Sequence, residues 1–299
     1  MSNTSKEISI LITGATGTIG SELARLFIEN GISFRAMIRT AGKSGQLTGS
    51  PYAEEIYGDF NDPDSLKKAL NGIEKVFLLT NSTEFSEKQQ INLVDAAVAA
   101  GVKHIVKLSQ FAADLHSPVR YLRYHAAVEQ RIIGSGINYT FLRPNLFMQG
   151  LLLFSDTIIH QGKFFAPAGE AKISLVDIRD IAAVAYQALT QPGHENKSYD
   201  ITGPQALTHG EIASLLSEVT GKTISYIDVT PGDMRRALAS LSFPKWQADG
   251  LLEDYAHYSR GEAALISNDV KRVTGNEPRS FKTFAQDNAA SFVPAGTPS

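Results

Sequence analysis

Residues 8–20 read ISILITGATGTIG, an apolar run feeding a turn with glycines at Gly14, Gly17 and Gly20. Strand, glycine turn and amphipathic helix in that order open a dinucleotide-binding fold. Each glycine has its own physical reason. Gly14 permits the tight turn off the strand, Gly17 lets the backbone approach a pyrophosphate, and Gly20 lets the new helix pack close to the strand. The anion then rests on the N–H groups at the positive end of a helix expected over Ser21 to Asn30 and closed by Gly31. A glycine-rich tight turn without a ligand is the competing reading. The strand before it and the helix after it favour the nucleotide.

The end of the next strand selects the dinucleotide. An NAD site carries Asp or Glu about 20 residues beyond the glycines, accepting from the ribose 2′-hydroxyl. Here SFRAMIRT ends on Arg39, with Thr40, Lys43 and Ser44 behind it and no carboxylate. A guanidinium fork matches a phosphate and Lys43 adds a point charge, so the pattern reads as recognition of the 2′-phosphate of NADP. Gly42-Lys43-Ser44 resembles the end of a nucleotide-triphosphate loop, but Met37 stands where that motif needs a glycine.

At 299 residues the chain can bury a sizeable core, and its 43% apolar and 20% charged content suit a globular protein. A net charge of −3 gives no argument for nucleic acid or an anionic membrane. The absence of cysteine excludes disulfides, thiolate catalysis and cysteine metal sites. The N-terminal MSNTSKEIS holds no signal-like apolar segment, and no run approaches the roughly 18 apolar residues of a membrane span, so a cytoplasmic location is expected.

From Ile8 to about Arg143, short apolar runs alternate with helical stretches. ISILIT, SFRAMI, AEEIYG, KVFLLT, HIVKLS and NYTFLR read as strands. The clearest helix spans Phe85 to Ala100, with Ile91, Val94 and Val98 on one face and Gly101 closing it. This rhythm predicts an α/β fold of Rossmann type, a doubly wound parallel sheet with ligands at the carboxyl ends of its strands. Residues 1–144 are expected to form the NADP-binding domain, with later segments returning to it. Residues 145–299 are expected to form a smaller, interleaved and mainly helical lobe. In that lobe Asn145 to His160 and Asp177 to Thr190 read as helical, KISLV and SYDIT as strand-like, and the tail from His209 as helical.

Chemistry-bearing residues follow the strand ends. Asp59 and Phe60 could meet the adenine, or serve only the turn before the helix that Asp62 caps. Thr80, Asn81 and Ser82 could meet a ribose, or form an ordinary polar turn. Ser109 ends the fifth strand, and Tyr121, His125 and Glu129 recur at four-residue spacing on one helix face. Ser109, Tyr121 and His125 are the candidate catalytic groups, with Glu129 expected to orient His125. The competing reading is a half-buried amphipathic face, favoured for Tyr121, whereas cofactor contact is favoured for His125. The seven histidines are scattered without metal-ligand spacing, so no metal is expected, and there is no Gly-x-Ser-x-Gly elbow.

The chain resembles the NmrA-like branch of the atypical short-chain dehydrogenase/reductase superfamily. The resemblance rests on TGATGTIG from Thr13, the basic MIRT strand end, GDFNDPDSL from Gly58, VKLSQFAA from Val106 and YHAAVEQ from Tyr124. It continues in YTFLRPNLFMQ from Tyr139, VDIRDIA from Val176, YDITGP from Tyr199 and SFKTFAQDN from Ser280. It implies that Gly14, Thr16, Gly17, Thr18, Ile19 and Gly20 hold the pyrophosphate and that Arg39 and Lys43 face the 2′-phosphate. It also implies that Pro144, Asn145 and Phe147 lie near the nicotinamide. His125 stands where the wider superfamily has the lysine of Tyr-x-x-x-Lys, and Tyr121 falls at the tyrosine place. The implied function is NADPH-dependent hydride transfer to a quinone-like or other conjugated aromatic acceptor. Phe111, Tyr124, Met148, Phe154 and Trp246 are the candidate pocket residues. Non-catalytic sensing of NADP(H), as in some NmrA-like proteins, is the alternative.

Overall fold

The computed structural model describes residues 8–39 and 45–294. Six strands form where the apolar runs stand: β1 (Ile10–Thr13), β2 (Phe34–Ile38), β3 (Ala53–Tyr57), β4 (Lys75–Leu78), β5 (His104–Leu108) and β6 (Asn138–Pro144). Three more follow, β7 (Lys163–Ala166), β8 (Lys197–Ile201) and β9 (Ser225–Asp228). The helices before residue 200 are α1 (Thr18–Glu29), α2 (Pro63–Ala69), α3 (Ser86–Ala100), α4 (Arg120–Ser135), α5 (Ser155–Gln161) and α6 (Ile178–Thr190). Beyond it come α7 (His209–Thr220), α8 (Pro231–Ser240), α9 (Lys245–Ser259), α10 (Asp269–Thr274) and α11 (Phe281–Asp287).

Seven strands make one sheet in the order β3-β2-β1-β4-β5-β6-β8, and every pairing from β3 through β6 is parallel. The strand order reverses between β1 and β4, where a doubly wound sheet opens a crevice at its carboxyl edge. Thr13 fastens the two strands there. Its hydroxyl, with one proton to donate, lies 3.0 and 2.9 Å from the Phe77 and Leu79 carbonyl oxygens and accepts from the Leu79 N–H at 2.8 Å. β1, β4 and β5 are buried along nearly their whole length, as expected for strands with helices on both faces.

The chain groups into two compact units. Residues up to 115, 124–143 and 181–199 form the first, and 116–123, 144–180 and 200 onward form the second. Residues 116–123, expected in the first domain, go with the second because their side chains bond there. Arg120 pairs with Glu253, and the Tyr121 hydroxyl donates to the Gln247 carbonyl. The first unit's core joins Leu11, Val76 and Ile105 of the sheet to Leu93 and Val94 of α3 and Val128 and Ile132 of α4. The second has its own core around Phe164, Leu216, Phe281 and Phe284. No described helix is long and apolar enough to cross a membrane.

Several local expectations need correction. α1 begins at Thr18 rather than Ser21, because Gly17 already takes the extended N-cap conformation. On α3 the buried face is Gln90, Leu93, Val94 and Ala97, and Val98 is exposed. The stripe is centred on Gln90, Leu93, Val94 and Ala97, so half-buried Ile91 and exposed Val98, nearly in line with each other, both sit at its edge. KISLV forms no strand: Ile173 and Val176 make single bridges to two different partners, Leu207 and Phe147. Asn145 to His160 is a 3-10 segment over Met148–Phe154 followed by α5. The tail contains β9, which pairs in parallel with β7 in a separate two-stranded sheet.

Candidate functional site

The turn from β1 into α1 is shaped by two glycines. Gly14 sits at φ +64°, a conformation an L side chain rarely adopts. Gly20 packs so closely that a Cβ there would lie 2.0 Å from the Gly14 carbonyl oxygen. α1 then starts from Gly17 with no side chain capping its N-terminus and no carboxylate in its first turn. Its leading amides and the positive end of its dipole therefore meet no capping side chain and no carboxylate from the helix's own first turn. Thr16, Gly17 and Thr18 are exposed at this end, while Ile19 and Gly20 are buried beneath it. This cradle fits a pyrophosphate. Arg39 is exposed immediately after β2. Lys43, the second expected phosphate contact, lies outside the described residues.

The strand ends beyond are more occupied than expected. Asp59 accepts from the Asn61 N–H at 2.8 Å, and its backbone is tied to the Ser65 hydroxyl. Phe60 lies in the core of the first unit, which leaves little of its ring to pack on an adenine. Asp62 caps α2 as anticipated, accepting from the Asp64 N–H. Thr80 accepts from the Gln90 amide at 2.8 Å, the Asn81 carbonyl accepts from the Ser86 hydroxyl, and the Ser82 hydroxyl lies 3.1 Å from that of Tyr124.

A buried polar network joins β5, α4 and β6 within the first unit. Lys107 and Ser109 share one face of the fifth strand, because alternate residues point the same way. His125 and Glu129 share one face of α4, one helical turn apart. The two faces meet in register. Lys107 Nζ lies 2.7 Å from His125 Nδ1, and Ser109 Oγ donates to Glu129 Oε1 at 2.5 Å. Arg143, at the end of β6, donates from Nε and Nη2 to Glu129 at 3.0 and 2.5 Å. Glu129 thus serves Ser109 and Arg143, and it is Lys107, not Glu129, that holds the His125 nitrogen. Burial, with the nearby Lys107 charge, keeps the His125 imidazolium well below its usual range. Burial brings Lys107 down to about 7, with Glu129 opposing and Arg143 assisting that shift. The Tyr124 ring lies 4.1 Å from that of His125.

Lys107 escaped the sequence reading although VKLSQ was in view. A lysine inside a strand expected to be buried on both faces was itself the signal.

The remaining candidates divide between the units. Phe111 is half-buried in the first, just beyond β5, and Tyr124 is buried there. In the second, the Tyr121 ring packs against Trp246 at 5.2 Å and over Gly250, and its hydroxyl donates to Gln247. Asn145, expected near the nicotinamide, gives both amide hydrogens to Ser174 Oγ and the Ala263 carbonyl. Its side chain therefore organises the second unit. Met148 belongs to that unit's core, with 1% exposure, and cannot line an open pocket. Pro144 is buried, and Phe147 and Phe154 are half-buried. Among the described residues no cluster of metal-ligating side chains exists.

The model of the NmrA-like family matches residues 6–275. An NAD(P)H azoreductase of Xenophilus azovorans is 40% identical over 283 residues, covering 95% of this chain and 99% of that protein. The NADPH-dependent quinone oxidoreductase of Escherichia coli, solved with NADPH, superposes with a TM-score of 0.85 at 29% identity, covering 93% of this chain and 99% of that one. The triphenylmethane reductase of Citrobacter sp., solved with NADP(H), gives 0.82 at 30% identity, covering 94% and 100%.

Proposed function

This chain belongs to the NmrA-like family, and from that premise we propose that it passes hydride from NADPH to a quinone-like, azo or other conjugated aromatic acceptor. The coarser role, an NAD(P)H-dependent oxidoreductase, is shared by the azoreductase, quinone oxidoreductase and triphenylmethane reductase relatives. The observation that carries the cofactor choice is a glycine cradle beside a β2 end that bears exposed Arg39 and no carboxylate. NADPH, when bound, supplies the hydride.

The chain's own residues bind and align. The leading amides of α1 hold the diphosphate, Arg39 faces the 2′-phosphate, and His125 donates to a ribose hydroxyl. Fixing the reacting partners in this way supplies most of what a hydride transfer asks of a protein. Quinone reduction can take its second proton from water. The reading therefore does not depend on Tyr121, whose hydroxyl proton is engaged with the Gln247 carbonyl.

Two measurements test this. Arg39→Ala removes one charge-assisted contact worth about 1.5–3 kcal/mol, so NADPH affinity should fall roughly ten- to a hundredfold while NADH affinity stays nearly unchanged. Equal losses for both cofactors in a fluorescence titration would remove Arg39 from the phosphate role. Stopped-flow mixing of the NADPH complex with a quinone or azo dye should show oxidation at an acceptor-dependent rate. A C4-deuterated cofactor of the correct face should slow that rate if hydride transfer limits. Tight NADPH binding without oxidation across a broad acceptor panel would identify a cofactor sensor instead.

A further inference from the structure

Lys107 is fully buried in β5, a strand whose every residue is buried. An ammonium withdrawn from water is costly unless a carboxylate and hydrogen bonds offset it. Here the nearby carboxylate, Glu129, is hydrogen-bonded to Arg143 and Ser109. Lys107 instead donates to the Leu108 carbonyl at 3.0 Å and points at His125 Nδ1 at 2.7 Å. The lysine cation therefore faces an imidazole rather than a carboxylate. An apolar side chain would stabilise this strand more cheaply, so the lysine calls for another explanation.

Hydrogen-bond chemistry supplies it. An ammonium has three donors and no acceptor. The His125 nitrogen it faces must then offer a lone pair, and the ring of a neutral imidazole carries its proton on the other nitrogen.

We propose that Lys107 is the positioning residue of His125, locking the imidazole as an acceptor at Nδ1 and a donor at Nε2. What Nε2 donates to, a ribose hydroxyl of NADPH, rests on the function proposed above; the tautomer does not. The charged and titratable groups facing the pair are Glu129 from α4 and Arg143 from β6, with Tyr124 beside the ring. Lys107 has its basicity lowered by burial to about 7. Below that pH it is an ammonium and enforces the Nε2–H form. As the pH rises through about 7 it becomes an amine, which can accept from Nδ1–H, and the lock is released.

Ring-nitrogen NMR of the ligand-free, 15N-histidine-labelled protein reads this directly, with the His125 signals assigned by their loss in His125→Gln. At pH 6 the wild type should show a protonated Nε2 and an unprotonated Nδ1, with Nδ1–H appearing as the pH passes about 7. Lys107→Met should show mixed tautomers at pH 6 and a ring that protonates closer to the ordinary histidine range. Lys107→Arg should keep the Nε2–H form. Nδ1–H in the wild type at pH 6, or a Lys107→Met spectrum like the wild type's, overturns the proposal. If Lys107→Met fails to fold, the wild-type spectrum alone decides. NADPH affinity separates the two readings. It should fall about three- to tenfold in Lys107→Met and less in Lys107→Arg. The expected tautomers with unchanged affinity would support Lys107 as the positioning residue and overturn the ribose contact.

Discussion

Replacing Gly20 with alanine should raise the dissociation constant for NADPH more than a hundredfold. By helix propensity alone the change favours the protein, since alanine in a helix is better than glycine by about 1 kcal/mol. The structure reverses that sign. The added Cβ would lie 2.0 Å from the Gly14 oxygen, 2.6 Å from the Gly14 carbonyl carbon and 2.9 Å from the Ala15 Cα. All three are backbone atoms, so no side chain can swing aside. Either α1 lifts from the turn or the turn itself moves, and both displace the amides proposed to hold the diphosphate. Overpacking of this kind costs about 1–3 kcal/mol of stability. Two misaligned charge-assisted bonds remove roughly 3 kcal/mol or more of binding, which corresponds to the hundredfold change. Thermal melts and cofactor titrations of the same sample check both effects. A variant with a raised melting temperature and undiminished NADPH affinity would show that close contact between turn and helix is not what the site requires.

That Gly14 and Gly20 could be interpreted from sequence, while Lys107 was not, reflects how differently the two signals are encoded. The glycine turn is local. Three residues within seven positions, preceded by an apolar strand, specify a backbone shape that needs no distant partner. The first six strands were legible for the same reason, as were the Asp62 cap and the closure of α3 at Gly101. The polar network is non-local. Ser109, His125 and Glu129 were each visible as candidates, but their pairing depends on the register between β5 and α4. Spacing along one helix suggested that Glu129 orients His125. Packing against the strand gave that role to Lys107 and left Glu129 to Ser109 and Arg143.

The less legible second unit follows the same logic. Its short segments take their structure from partners distant in sequence. Asn145 is bonded to Ser174 and Ala263, Met148 is absorbed into the core, and β7 pairs with β9 across some 60 residues. Residue type announced polarity or aromaticity at these positions. It could not announce which partner would use it.

The largest loss of stability is expected for Glu129→Ala. Glu129 is 3% exposed and accepts from Ser109 and from two nitrogens of Arg143. Without it, Lys107 and Arg143 lose the carboxylate that acts on both of them. Breaking a buried ion pair from one side costs about 3–5 kcal/mol. Arg143 retains partial access to water, which screens its share and places the expected loss near 3 kcal/mol. The pH dependence identifies the source. Glu129 favours the Lys107 ammonium, so its removal lowers the pH at which Lys107 sheds its proton in the folded chain. The unfolded chain keeps that proton until about pH 10.4. Between those limits the unfolded state binds more protons, and stability rises with pH. Urea unfolding should therefore show a larger Glu129→Ala penalty at pH 6, where Lys107 is charged in the wild type, than at pH 8.5. Adding Lys107→Met to Glu129→Ala should recover part of the loss, and more of it at pH 6, because it removes the charge the carboxylate had offset. Equal losses at both pH values, with no coupling between the two substitutions, would mean that Glu129 acts through Arg143 and Ser109 alone and that Lys107 is not electrostatically part of the cluster.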